Sequence, residues 1–176
     1  MKENRTKKEI VSWLKTFLIA LICAIVANNF LIASALVVSS SMENTIMTDS
    51  RVMGLRVAYV ISEPKRFDII LFEPPDKDSE IPYIKRIIGL PNETVEIIAG
   101  KVYIDGSNVP LDDSFVKGEA HGNYGPFFVP EGAFFVMGDN RNSSSDSRHW
   151  VNRYVPRGNI IGRIYLEFYP TPHFFD

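Results

Sequence analysis

The sequence predicts a mainly β protein, built of short and mostly antiparallel strands, preceded by one N-terminal transmembrane helix. Three observations predict it. Residues 16–42 contain no Asp, Glu, Lys or Arg. After Glu43 the chain breaks into short apolar runs separated by turn residues, with Gly and Pro numbering 11 each. None of those runs keeps a 3.6-residue periodicity over several turns, which argues for strands rather than amphipathic helices.

The elements follow in order. Lys2, Arg5, Lys7 and Lys8 crowd the start, and Lys15 interrupts the apolar run early. A spanning helix needs about 20 mostly apolar residues. Residues 17–38 supply them, with Asn28-Asn29 as a polar blemish. Trp13 suits the membrane interface, and Lys15 can extend its amine to the headgroups. The positive-inside rule then places residues 1–15 in the cytoplasm, 16–38 in the membrane and 39–176 outside as a β-rich domain. A cleaved signal peptide shares the basic start, and Ala33-Ser34-Ala35 reads as a small-residue cleavage site, but its apolar stretch is shorter, about 7–15 residues. Val37-Val38 favours extended structure, so residues 30–38 stay open between helix and strand.

Residues 67–72 read as a strand stopped by Glu73-Pro74-Pro75, because proline cannot donate to a ladder. Residues 94–98 and 101–104 flank Ala99-Gly100 as a hairpin, and Asp105-Gly106 begins another turn. Residues 133–137 and 161–168 are further strands. The glycine-rich, polar stretch 112–126 reads as a long loop.

Composition narrows the chemistry. A chain of 176 residues suits one domain and an appendage. A net charge of −2 argues for no nucleic-acid partner. One cysteine, Cys23, leaves no disulfide within the chain, and His121, His149 and His173 match no metal-ligand spacing. Neither metal nor cofactor is expected.

The triplet Ser39-Ser40-Ser41 before Met42 lies where the apolar stretch ends. A serine hydroxyl is a weak nucleophile until a base takes its proton. His149, beside Asp146, offers a triad, with only proximity in its favour. Lys85 offers the other solution, since it lies in the otherwise apolar run 81–91. As a strand, that run puts Tyr83, Lys85 and Ile87 on one face and Ile84, Arg86 and Ile88 on the other. Burial would lower the lysine from about 10.4 by up to several units, towards a usable base. The plain alternative is that Lys85 and Arg86 reach solvent while their stems cover apolar surface. A third cluster, residues 137–148, is dense in short polar side chains that can satisfy one another beside a site, or form a polar surface turn.

Together these blocks resemble bacterial type I signal peptidases, the membrane-anchored serine proteases that remove signal peptides from exported proteins. Ser39-Ser40-Ser41-Met42-Glu43-Asn44-Thr45-Ile46 looks like the family's nucleophile box, and Tyr83-Ile84-Lys85-Arg86-Ile87-Ile88-Gly89-Leu90-Pro91 like its lysine box. Gly138-Asp139-Asn140-Arg141, followed by Ser144, Asp146-Ser147-Arg148 and Trp150, looks like its C-terminal box. Order, spacing and anchor match over essentially the whole chain, and the single anchor is similar to the Gram-positive form.

The resemblance implies a signal-peptidase-like fold and a serine endopeptidase with a Ser/Lys dyad. It would cleave signal peptides of exported preproteins after small, Ala-X-Ala-like residues at the membrane surface, with preproteins and lipid as partners. By the same resemblance Ser41 is the nucleophile and Lys85 the general base. Ser39 donates to the oxyanion with the backbone N–H of Ser41, Ser144 orients the lysine, and Asp146 and Arg148 support the site. Met42, Ile46, Tyr83 and Ile84 line pockets for small residues. Three positions depart from the family pattern: Asn44 and Val38 where proline is usual or frequent, and Asn142 where aspartate is frequent. Two rival readings are a self-cleaving Ser/Lys protease of the SOS-repressor type and an inactive, anchored β-domain that binds peptides or partners. The anchor argues against the first, and the presence of both Ser41 and Lys85 against the second.

Overall fold

The computed structural model describes residues 2–76 and 79–175, without the side chains of residues 2–7 and Asn28. The N-terminal charges of Lys2, Arg5 and Lys7 therefore lie outside the described side chains. Helix α1 spans Lys2–Val26 and runs through a π-helical turn, Ala27–Leu31, that contains the asparagine pair. Its stretch Lys8–Leu31 is long and apolar enough to cross a membrane, and its apolar side chains, among them Trp13, Phe17 and Ile19, are exposed. Among the described residues, nothing covers that surface.

The apolar helix ends at Leu31, before residue 38. Strand β1 is Ile32–Leu36, and it pairs antiparallel with β2, Arg51–Leu55. The open question over residues 30–38 thus resolves into a helical end at Leu31 and a strand from Ile32. Residues 32–36, which continue the apolar pattern of the helix, belong to the domain's sheet. Ala33 faces the core and is fully buried, whereas Ser34 and Leu36 are exposed, the alternation expected of a half-buried strand.

Strands β3 (Ile69–Phe72), β4 (Tyr83–Gly89), β8 (Ala133–Met137), β9 (Val155–Pro156) and β10 (Ile160–Tyr169) complete the main sheet. Its order is β1-β2-β10-β3-β4-β8-β9, with β11 (His173–Phe174) paired to β10. A second sheet has the order β6-β5-β7, from Lys101–Ile104, Thr94–Ile98 and Tyr124–Phe128. Strand β7 occupies the end of the stretch expected to be a loop, and a short helix α2, Ala58–Ile61, follows β2. All the ladders are antiparallel.

Residues of β1 and β4, which stand three strands apart in the order, line one groove, so the main sheet curls on itself. Ala33, Met42, Ile46, Val52 and Ile164 pack into one apolar cluster inside that curl. Burying a side chain such as Met42 or Ile46 contributes about 1.5–3 kcal/mol. That burial holds the segment after the serine triplet down on the sheet.

Candidate active site

Ser41 sits in a 3₁₀ turn, Ser40–Met42, that follows the extended Ser39. Lys85 sits in the middle of β4, paired across to Ile70 of β3. The alternation along β4 holds. Tyr83 and Ile87 pack with Phe72 and Trp150, while Ile84 and Ile88 join clusters elsewhere. Lys85 does not reach solvent: it is 5% exposed, and its Nζ lies 2.5 Å from Ser41 Oγ. Burial pushes the amine down to about 8, against the Asp146 and Asp139 charges that pull it up, and the Arg148 charge adds to the lowering. Ser39 Oγ is 3.2 Å from Ser41 Oγ.

The loop after β8 holds this pair together. Asn140 donates from its backbone N–H to the Ser41 carbonyl and from Nδ2 to the Ser40 carbonyl, both at 3.0 Å. Ser144 Oγ donates to Asp146 Oδ2 at 2.7 Å, and the Gly138 N–H donates to the same oxygen at 3.0 Å. Arg148 grips Asp146 from Nε at 2.8 Å and from Nη2 at 2.9 Å. Burial alone would raise the Asp146 carboxyl, but the Arg148 bonds and charge, the Gly138 N–H and the Ser144 hydroxyl outweigh it and hold the carboxyl below its usual range. Asp146 is therefore a fixed anion beside the lysine, worth most where the surroundings are dry.

The groove between β1 and β4 has a volume of about 630 Å³, and Ser41 and Lys85 both line it. Residues 34–39 form one wall and 81–85 the other, with Ser143 and Ser145 also lining the groove. Strand β1 is an edge of the sheet, and β8 pairs with β4 only from Arg86 onward. Met42, Tyr83 and Ile84 line the groove, and Ile46 lies fully buried in the cluster that Met42 and Ile84 share. Ser39, Ser41, Met42, Tyr83, Ile84 and Lys85 thus line one groove, whereas Ser144, expected to bond to the lysine, donates to Asp146 instead.

His149 takes no part in that meeting. Its Nδ1 is 3.9 Å from Asp146 Oδ1, and its ring packs edge-on to Tyr124. Asn44 departs from the usual proline for a visible reason. Its φ is +86°, which proline cannot adopt, and its Nδ2 donates to the Phe115 carbonyl at 3.2 Å.

Comparison with known proteins settles the kinship of this arrangement. The family described as "Signal peptidase, peptidase S26" matches residues 10–169. The chain belongs to the signal peptidase family. It is 36% identical to a probable signal peptidase I-2 of Synechocystis sp. over 98% of this chain and 82% of that one. It is 33% identical to a signal peptidase I of Bacillus licheniformis over 96% of this chain and 94% of that one. A crystal structure of a signal peptidase I from Enterococcus faecalis is 34% identical, covers 58% of this chain and 97% of that one, and superposes with a TM-score of 0.47. The family is one of hydrolases, and the apolar N-terminal helix fits a membrane anchor.

For a signal peptidase fold, the residues that sequence reasoning passed over are those tying the boxes together. Asp139 accepts from Arg86, the residue after Lys85, and from Thr45 Oγ1 at 2.5 Å. Gly138 leaves room that nothing larger could occupy. A Cβ there would come within 2.3 Å of Ser144 Oγ and 2.4 Å of the Ser41 carbonyl oxygen. The density of polar residues in 137–148 was the available signal, but the partners of Asp139, namely Arg86 and Thr45, lie 53 and 94 residues away in sequence and are set only by the fold.

Proposed function

We propose that this chain is a membrane-anchored serine endopeptidase that cuts signal peptides from exported preproteins, with Ser41 as nucleophile and Lys85 as general base. The contact of 2.5 Å between Lys85 Nζ and Ser41 Oγ, in a lysine lowered to about 8, is the observation that carries it. An amine with that value is neutral in an appreciable fraction near neutral pH, and a neutral amine can take the serine proton.

The substrate lies extended in the groove, adding a strand between β1 and β4, so that backbone pairing gives binding that tolerates many sequences. Met42, Tyr83 and Ile84 leave space there for small side chains such as alanine. Lys85 takes the Ser41 proton as Oγ attacks the carbonyl carbon. The oxyanion is met by the Ser41 N–H and the Ser39 hydroxyl. Ser144 and Asp146, with Arg148 behind them, keep the lysine's surroundings fixed. Lys85 then returns the proton to the leaving amine, and water, activated by the same lysine, hydrolyses the ester on Ser41. The helix Lys8–Leu31 spans the bilayer with the N-terminus in the cytoplasm, and the domain stands outside, where the scissile bond emerges.

The test is to incubate the purified chain, in detergent, with a preprotein and to determine the new N-terminus. One cut after an Ala-X-Ala-like site supports the reading. A preprotein bound but left intact supports an inactive peptide-binding domain instead.

A further inference from the structure

A second cavity, of about 470 Å³, shares Ser143 and Ser145 with the groove as common walls. We propose that it is a subsite for an acidic side chain in the part of the substrate that follows the cleaved bond; this rests on the peptidase reading above.

Position is the first argument. The walls of the groove formed by residues 34–38 and 81–85 flank the chain before the scissile bond, and Ser41, Lys85, Ser143 and Ser145 line the same groove. The chain after the bond must leave past those two serines, which is where the second cavity opens. Ser144, also on its wall, lies with the Ser41 carbonyl oxygen within 2.4 Å of one point, the place a Gly138 Cβ would take. An extended chain advances about 3.3 Å per residue, so the second or third residue after the cut comes within reach.

Chemistry is the second. The cavity is lined by His121, Tyr124, Arg141, Arg148 and His149, and by no carboxylate. The acidic groups nearby do not line it, although two of them are paired with its arginines from behind. Asp146 is held by Arg148, Ser144 and the Gly138 N–H, and Asp113 by Arg141 Nη2 at 3.1 Å. Glu119 contributes its backbone carbonyl to Asn142 at the rim, with its side chain exposed. The third argument is an unmet donor. Arg141 is 2% exposed, yet its Nε is buried without a hydrogen-bond partner among the described residues. A buried donor left unpaired is costly, and since Nε itself has almost no accessible surface, it marks a guanidinium with an incomplete set of partners in the cavity wall rather than a direct contact for the ligand.

The test uses the full chain with Ser41→Ala, in detergent, and fluorescent decapeptides spanning an Ala-X-Ala site. One peptide carries Asp at the second and third positions after the site, one carries Asn and one Lys. The Asp peptide is expected to bind about tenfold tighter than the Asn peptide, the scale of one charge-assisted contact. Adding His121→Gln and His149→Gln is expected to shrink that ratio severalfold, and His149→Glu to turn the preference towards Lys, a reversal that a merely structural histidine would not produce. Equal binding of all three peptides by the Ser41→Ala chain overturns the subsite, as does an unchanged ratio in the histidine variants. Cleavage by the unaltered chain is measured alongside. If it cuts none of the peptides, the peptidase reading fails, while the binding ratios still decide the subsite.

Discussion

Arg86 and Asp139 form a buried two-pronged pair, Nε to Oδ1 at 2.9 Å and Nη2 to Oδ2 at 2.6 Å. Thr45 Oγ1 donates to the same carboxylate at 2.5 Å. One carboxylate that touches neither Ser41 nor Lys85 thus ties the strand of the lysine to the segment of the serine. Asp139→Ala leaves the Arg86 guanidinium buried and unpaired, a loss of about 3–5 kcal/mol. Denaturant unfolding in detergent measures it. The double variant Arg86→Met, Asp139→Leu is expected to recover most of that stability, since apolar replacement of a buried pair is often neutral or better. It should not recover activity, because Thr45 has lost its tether.

Gly138→Ala tests the closeness of the serine turn to the loop. The added methyl would meet Ser144 Oγ at 2.3 Å and the Ser41 carbonyl oxygen at 2.4 Å, and the second of these belongs to backbone that cannot rotate away. The turn has to shift, and a displacement near 1 Å at a reacting group can cost about 10² in rate. The expected result is a fall of that order in kcat, measured on a preprotein, with the far-ultraviolet circular dichroism unchanged.

Ser39→Ala removes one oxyanion donor and leaves the Ser41 N–H. A loss of about 10²–10³ in kcat with little change in KM is expected. A fall confined to KM would place Ser39 in substrate binding rather than in stabilising the transition state.

The lysine carries a pH signature in both rate and stability. kcat/KM is expected to rise with pH through about 8, as the base loses its proton. Stability moves in the same direction for a separate reason. The folded state disfavours the ammonium, so between about 8 and the ordinary 10.5 the unfolded chain holds more protons than the native one. The cost, about 3 kcal/mol, is fully present below pH 8 and is relieved as pH rises towards 10.5. Lys85→Met is therefore expected to be inactive and, at pH 7, more stable by up to that amount, with the gain vanishing above 10.5. Unfolding curves at pH 7 and at high pH compare the two chains.

Much of the site was legible because its chemistry is carried by residue types in short runs: the serine triplet, a lysine in an apolar strand, a loop crowded with polar groups. Period-two alternation placed Lys85 on the face of Tyr83 and Ile87, and the fold keeps it there. Strand β1 was legible only as an open alternative, because Ile32-Ala33-Ser34-Ala35-Leu36 continues the apolar run of the helix without a break, and pairing with β2 makes it a strand. Strand β7 was hidden by its glycine and proline, which mark turns in isolation but are held here by β5. The roles of Asp139 and Asn140 were out of reach, since their partners Arg86 and Ser40 lie 53 and 100 residues distant in sequence. Such contacts have no local pattern.

Preprotein cleavage by Ser41→Ala and Lys85→Ala, each checked for an intact fold by circular dichroism, tests the dyad most directly. Loss of cleavage in both, with the unaltered chain active, is the expected result. Substantial cleavage by either variant contradicts the pairing of Ser41 with Lys85.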